Sequence, residues 1–233
     1  MRKVLTIAGS DSSRRSCETR RCVIIGGSEI KNYDLIREYF RPDDFFIYCD
    51  CGLKHEKFLR VQPDLIIGDF DSFTKPDDLS NVIVLPVEKD DTDTIFAVKE
   101  GMKRGFNDFL LTGVTGGRQD HNLGNIYALL MLAKNDKNAL IADDYSEMKI
   151  IKAGEVERVK FGWKFFSLIN IVGIARGINI QHAKYNLEDA EISCEYQYGI
   201  SNEVLNSEND ALISLREGYL LLICVRNIAN CEN

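Results

Sequence analysis

The segment "PDLIIGDFDSF" (63–73) is an apolar run that finishes on two aspartates, Asp69 and Asp71. A carboxylate withdrawn from water needs a counter-charge or several donors, so either these two reach solvent or a cation meets them. In extended backbone, residues two apart share a side, and Gly68 lets the chain turn close beside them. Two carboxylates on one side suit a hard cation. Mg2+ fits best, because it takes one or two carboxylates and completes its shell with water and phosphate oxygens. Asp93, at the start of the following helix, could supply a third ligand. The competing reading is an ordinary turn in which each aspartate caps a backbone amide.

Two further stretches carry polar chemistry. "KDDTD" (89–93) clusters Asp90, Asp91 and Asp93, although a helix N-cap explains Asp93 and solvated loop charge explains Asp91. "GVTGGRQDHN" (113–122) places Gly113, Gly116 and Gly117 immediately before a helix, so amide donors and a helix N-terminus face any bound phosphate, with the Arg118 guanidinium beside them. That suits a nucleotide polyphosphate. The loop is neither a Walker A sequence, lacking Gly-Lys-Ser/Thr, nor a dinucleotide fingerprint. Asp120 could equally be a simple cap and His121 an ordinary polar helix residue.

The elements that must position these groups form two patterns. From Cys22, the runs "CVIIGG", "FFIYCD", "DLIIGDF", "NVIVLP", "DFLLTG" and "NALIAD" read as strands. They alternate with helices expected over 33–40, 92–104 and 119–134, which is the α/β signature. Thr92 or Asp93 can cap the second helix, and Gly105 can end it. The acidic and glycine-rich residues all fall after strands, at the edge where open α/β sheets bind ligands. After about Tyr145 the helical pattern stops. "MKIIKA", "FFSLINIVG", "GINIQHA", "AEISCEY", "ALISLR" and "YLLLICVR" then predict an antiparallel β-sandwich or barrel. The expected division is a Rossmann-like α/β domain with a parallel-rich sheet over 22–144 and a β-rich domain over 145–228. Residues 1–21 are read as an extension, disordered or cloning-derived, that carries no site.

Bulk composition narrows the partners. At 233 residues, 45% of them hydrophobic, the chain can bury a substantial core. A net charge of −7 argues against a surface adapted to nucleic acid or acidic lipid and favours small molecules. Seven cysteines, an odd set without a Cys-x-x-Cys pair, suit reduced thiols and a cytoplasmic location. Apolar runs stop short of the roughly 18 to 20 residues that span a bilayer, so no membrane role is expected.

Taken in order, "DCGL", "PDLIIGDFDS", "KDDTD", "LTGVTGGRQDHNLGNI", "KYNLEDAEI", "GISNE" and "EGYLLLI" resemble the thiamine pyrophosphokinases, which transfer a pyrophosphoryl group from ATP to thiamine and release AMP. The resemblance covers about 22–226. It implies a catalytic α/β domain, a thiamine-contacting β domain, and a homodimer with active sites at the subunit interface. It further implies Mg2+ on Asp69, Asp71 and Asp93, which with Arg118 form the catalytic set. ATP would meet Asp50, Gly116, Gly117, Arg118, Asp120 and His121. Thiamine would meet Lys89, Asp90, Tyr185, Ser201 and Asn202, with the Tyr185 ring against the flat, cationic substrate. One departure stands out: Cys51 occupies the place of the usual glycine after Asp50. The opening "RKVLTIAGSDSS" separately resembles the start of hydroxymethylpyrimidine kinases, but the glycine-rich continuation of that family is missing.

Overall fold

The structure, a computed structural model, describes residues 20–70, 80–86, 88 and 90–227. Six strands, β1 (Arg21–Ile25), β2 (Phe45–Cys49), β3 (Leu65–Gly68), β4 (Val82–Val84), β5 (Asp108–Thr112) and β6 (Asn138–Ala142), pair in parallel in the order β4-β3-β2-β1-β5-β6. The continuous apolar runs follow from burial on both faces. In β1, Cys22 and Ile24 enter one core while Val23 and Ile25 enter the opposite one. The order reverses between β1 and β5, so the chain leaves these two strands toward opposite faces of the sheet, which makes their carboxyl ends the switch point.

Helices α1 (Tyr33–Arg37), α2 (Glu56–Leu59), α3 (Asp93–Lys103) and α4 (Gln119–Lys134) connect these strands. Thr92 caps α3 by accepting from the Ile95 amide at 3.3 Å, and Gly105, at φ 90°, follows its end. The span of α4 is the one expected. The first helix is shorter than the expected 33–40, and α2 was not anticipated.

Past α4 the same sheet continues instead of ending. Strand β7 (Ser146–Lys152) turns back antiparallel to β6, and β13 (Tyr219–Val225) and β9 (Phe165–Ile169) follow it. A separate antiparallel sheet, ordered β11-β10-β12-β8, contains β8 (Val156–Val159), β10 (Ile174–Gln181), β11 (Leu187–Ser193) and β12 (Ala211–Ser214). This sheet closes a sandwich against β7, β9 and β13. Alternation along β13 explains its unbroken "YLLLICV": Leu220, Leu222 and Cys224 fill the sandwich, while Leu221 and Ile223 pack into the α/β core. The expected division at 144/145 therefore falls in the turn between two paired strands. Arg21, assigned by its sequence to the extension, is instead the first residue of β1. Its guanidinium is buried and forked onto Asp44, with Nε to Oδ1 at 3.0 Å and Nη2 to Oδ2 at 2.7 Å.

Candidate active site

The carboxylates come together from three loops. Asp50 begins the 3-10 turn Asp50–His55 after β2, Asp69 follows β3, and Asp93 opens α3, and one oxygen from each lies within 4.8 Å of the others. Asp50 is 5% exposed and the other two are half-buried. A glycine makes the approach possible. A Cβ at Gly68 would stand 2.7 Å from the Asp50 Cβ, so any larger residue would push β3 away from the turn that carries Asp50. Gly68 is still within β3, paired with Val84, and is not the point where the chain leaves the sheet.

The sequence argument for Asp69 and Asp71 needs correction. It assumed extended backbone, but Phe70 has φ 57°, in the left-handed region. The Phe70 ring packs against the core that contains Ile66 and Tyr48, which offsets the strain of that conformation. Alternation thus does not decide which side Asp71 takes, and Asp71 itself, like Lys89, lies outside the described residues. Asp50, expected on ATP, joins the acid cluster and also lines the cavity that holds the glycine loop.

A cavity of about 990 Å³ opens beside the cluster at the sheet's switch point. Its walls include Gly26, Gly27 and Ser28 after β1, the loop from Gly113 to Arg118 after β5, and Asp50 and Asp93. The first and second of these loops interlock: the Gly26 amide donates to the Thr112 carbonyl at 2.9 Å and the Ser28 amide to the Gly113 carbonyl at 2.7 Å. The sequence reading missed the β1 side and the β6 end at Asp143–Tyr145, although "GG" after the first strand was the available signal. There Asp144 accepts the amides of Lys31 and Asn32, and Asp143 accepts the Thr115 hydroxyl at 2.7 Å. Cys51, where the family resemblance leads one to expect glycine, packs its Cβ over Gly27, where an added Cβ would come within 2.6 Å. Its thiol lines the cavity and lies 3.5 Å from Asp50 Oδ2.

Gly116, Gly117, Arg118 and His121 line the cavity and are exposed, as a polyphosphate site requires. Asp120 is not among the lining residues. Its carboxylate holds the Arg118 fork, with Nη2 to Oδ2 at 2.5 Å and Nε to Oδ1 at 3.2 Å. The hydrogen bond from Arg118 pulls the Asp120 carboxyl down to about 2 from an ordinary 3.8. The pair stabilises the fold above the ordinary value, and the contribution disappears as pH falls through about 2. In an NMR titration, Arg118→Ala should return the Asp120 midpoint to the ordinary carboxyl range; an unmoved midpoint would assign the shift to another group. Both side chains are solvated, so the pair is weak and readily exchanged for phosphate oxygens.

The second group of expected residues lies elsewhere. Asp90 is exposed and outside the cavity lining, and Asp91 pairs with Lys99 at 2.6 Å. Tyr185 is 60% exposed on the β-sandwich, with the Lys184 ammonium 5.8 Å over its ring and held by Glu203 at 2.7 Å. Asn202 is buried, and its amide clamps the Tyr185 peptide, accepting from N at 3.0 Å and donating to O at 2.7 Å. Ser201, at φ 61°, donates its amide to Ser167 Oγ at 3.0 Å. None of these three lines the cavity of its own chain.

Fold and site together define a class: an α/β protein with a β-sandwich extension, carrying an acid cluster and a glycine loop with an arginine at a sheet switch point. A family model described as "Thiamin pyrophosphokinase, catalytic domain" matches residues 36–141, and "Thiamin pyrophosphokinase, vitamin B1 binding domain" matches 155–220. The chain belongs to the thiamin pyrophosphokinase family. It is similar to the thiamine pyrophosphokinase of Bacillus subtilis, at 28% identity over 170 residues, covering 70% of this chain and 78% of the relative. A crystal structure of a Bacillus subtilis thiamine pyrophosphokinase superposes with a TM-score of 0.78 at 22% identity, covering 90% of this chain and all of that one. The Geobacillus thermodenitrificans thiamin pyrophosphokinase structure gives 0.75 at 26% identity, covering 90% of this chain and 98% of the other.

Proposed function

We propose that this chain is a thiamine diphosphokinase that moves the pyrophosphoryl group of ATP to the thiamine hydroxyl, giving thiamine diphosphate and AMP. The observation that supports this best is the convergence of Asp50, Asp69 and Asp93 in one acid cluster, two of whose members, Asp50 and Asp93, line the same cavity as the loop that carries Arg118. Three closely spaced carboxylates fit Mg2+, a hard cation that prefers oxygen donors, with Asp71 as a further expected ligand. Bound there, Mg2+ would neutralise charge on the phosphate oxygens.

The remaining work falls to the protein's own groups. Gly117, next to the Gly116 peptide, and the start of α4 offer backbone donors to the triphosphate. Arg118 exchanges Asp120 for phosphate and stabilises the charge that builds as the bond between the α- and β-phosphates breaks. Asp120 holds the guanidinium in place until then. In-line placement of the thiamine oxygen on the β-phosphorus supplies much of the acceleration.

Thiamine contacts are assigned to Lys89, Asp90, Tyr185 and Ser201, with Asn202 holding the Tyr185 peptide. Because Tyr185 and Ser201 stand outside the cavity of their own chain, a homodimer that brings them from the second copy fits this geometry. No disulfide joins the described cysteines. No helix among the described residues is long and apolar enough to cross a membrane.

Product analysis tests this reading. With ATP, Mg2+ and thiamine, AMP and thiamine diphosphate should form in equal amounts, and nothing should form without a divalent cation. ADP and thiamine monophosphate in their place, or turnover with other alcohols but not thiamine, would contradict it.

A further inference from the structure

Two asparagines of α4 hold the glycine-rich loop in a way that neither the acid cluster nor core packing explains. Asn122 grips the Gly116 peptide from both ends: its Oδ1 accepts the Gly116 amide at 2.8 Å and its Nδ2 donates to the Gly116 carbonyl at 2.7 Å. Asn125, one helical turn on and buried, donates its Nδ2 to the Val114 carbonyl at 2.6 Å. On the opposite side the Ser28 side chain backs Gly116, where an added Cβ would lie 3.2 Å from the Ser28 Cβ. Beyond the clamp the space is open, since a Cβ at Gly117 would touch nothing within 4 Å.

We propose that Asn122 is a positioning residue for nucleotide binding: it fixes the Gly116 peptide and so directs the following Gly117–Arg118 backbone at the phosphates. This rests on the reading of the loop as the nucleotide site. Adjacent glycines have more conformational freedom to lose than other residues, so an unclamped Gly116–Gly117 would have to be ordered on each binding event. Holding the loop in its bound shape beforehand removes that cost from the affinity. Asn122 is half-buried on the first turn of a long helix, so its truncation leaves the core intact.

The probe is α,β-methylene-ATP with Mg2+, in which the bond to be broken is blocked. For Asn122→Ala in the full chain, calorimetry should show binding weakened about tenfold, from two lost hydrogen bonds and a looser loop. The KM for ATP should rise by a similar factor, the KM for thiamine should stay within about twofold, and exchange of the Gly116 amide should accelerate. Nucleotide binding within twofold of wild type would overturn the proposal, as would a parallel rise in both KM values accompanied by a large drop in Tm. If wild type binds the probe but makes no thiamine diphosphate, the functional reading falls while the binding ratio still judges Asn122. Failure of wild type to bind the probe at all overturns the clamp as well.

Discussion

Asp93→Asn is expected to lower turnover about a thousandfold, roughly 4 kcal/mol of transition-state stabilisation, while the protein remains folded. The asparagine keeps the shape and one oxygen but removes a charge with which the Asp50, Asp69 and Asp93 cluster would hold the proposed cation. Stability should change little. Asp93 also places a negative charge in the first turn of α3, and losing that costs only about 0.3–1 kcal/mol. Steady-state rates at saturating Mg2+, with a thermal melt of the same sample, separate the two effects. A variant with wild-type rates would remove Asp93 from the catalytic set. One that loses activity only by unfolding would make its role structural. Asp69→Asn should behave similarly, since it shares the cluster without lying in the first turn of a helix.

The largest expected effect on stability lies away from the site. Asp44→Ala would leave the Arg21 guanidinium buried at the start of β1 without its forked partner, where the two side chains are 7% and 0% exposed. Breaking such a pair on one side costs about 3–5 kcal/mol, which for a chain of this size lowers Tm by about 10 °C. Asp44 also accepts the Arg41 amide at 2.8 Å, so the loop into β2 loosens with it. The double variant Arg21→Met with Asp44→Leu should recover much of the loss, because replacing both leaves no buried charge unpaired. Melting curves for both variants check this. A drop below about 2 °C for Asp44→Ala would show that water reaches the pair on unfolding no more than it does in the native state.

Much of this arrangement can be read in the residues before any coordinates are known. The span of α4 follows from its Gly-Gly-Arg entry and the apolar run over residues 128–133. Most strands announce themselves as short apolar runs ended by Gly, Asp or Asn. What escapes is geometry made by contacts distant in sequence. Asp50 enters the acid cluster because Gly68, eighteen positions on, has no side chain to keep it out. Phe70 leaves the extended conformation because its ring is drawn into the core, and no local pattern signals that.

Strand β8 was overlooked for another reason: "VERV" is short and amphipathic, and Val156 is 63% exposed at the edge of its sheet. Arg21 looked like part of a basic, polar leader, since nothing nearby in sequence marks Asp44 as its partner. The sequence does not single out Asn122, and it points Asn202 at thiamine and not at the Tyr185 peptide, because a side-chain clamp on another residue's peptide has no signature in spacing. Motif order identified the family and singled out candidate site residues, whereas their placement relative to one another required the fold.

The central claim is that the acid cluster is the metal centre for chemistry on a nucleotide bound at the glycine loop. Anomalous diffraction from a crystal grown with Mn2+ and α,β-methylene-ATP tests it directly. The expected result is a peak coordinated by oxygens of Asp69 and Asp93 and by the triphosphate, with Asp50 on the same ion or one water away. A manganese peak held by the triphosphate alone, apart from these carboxylates, would contradict it.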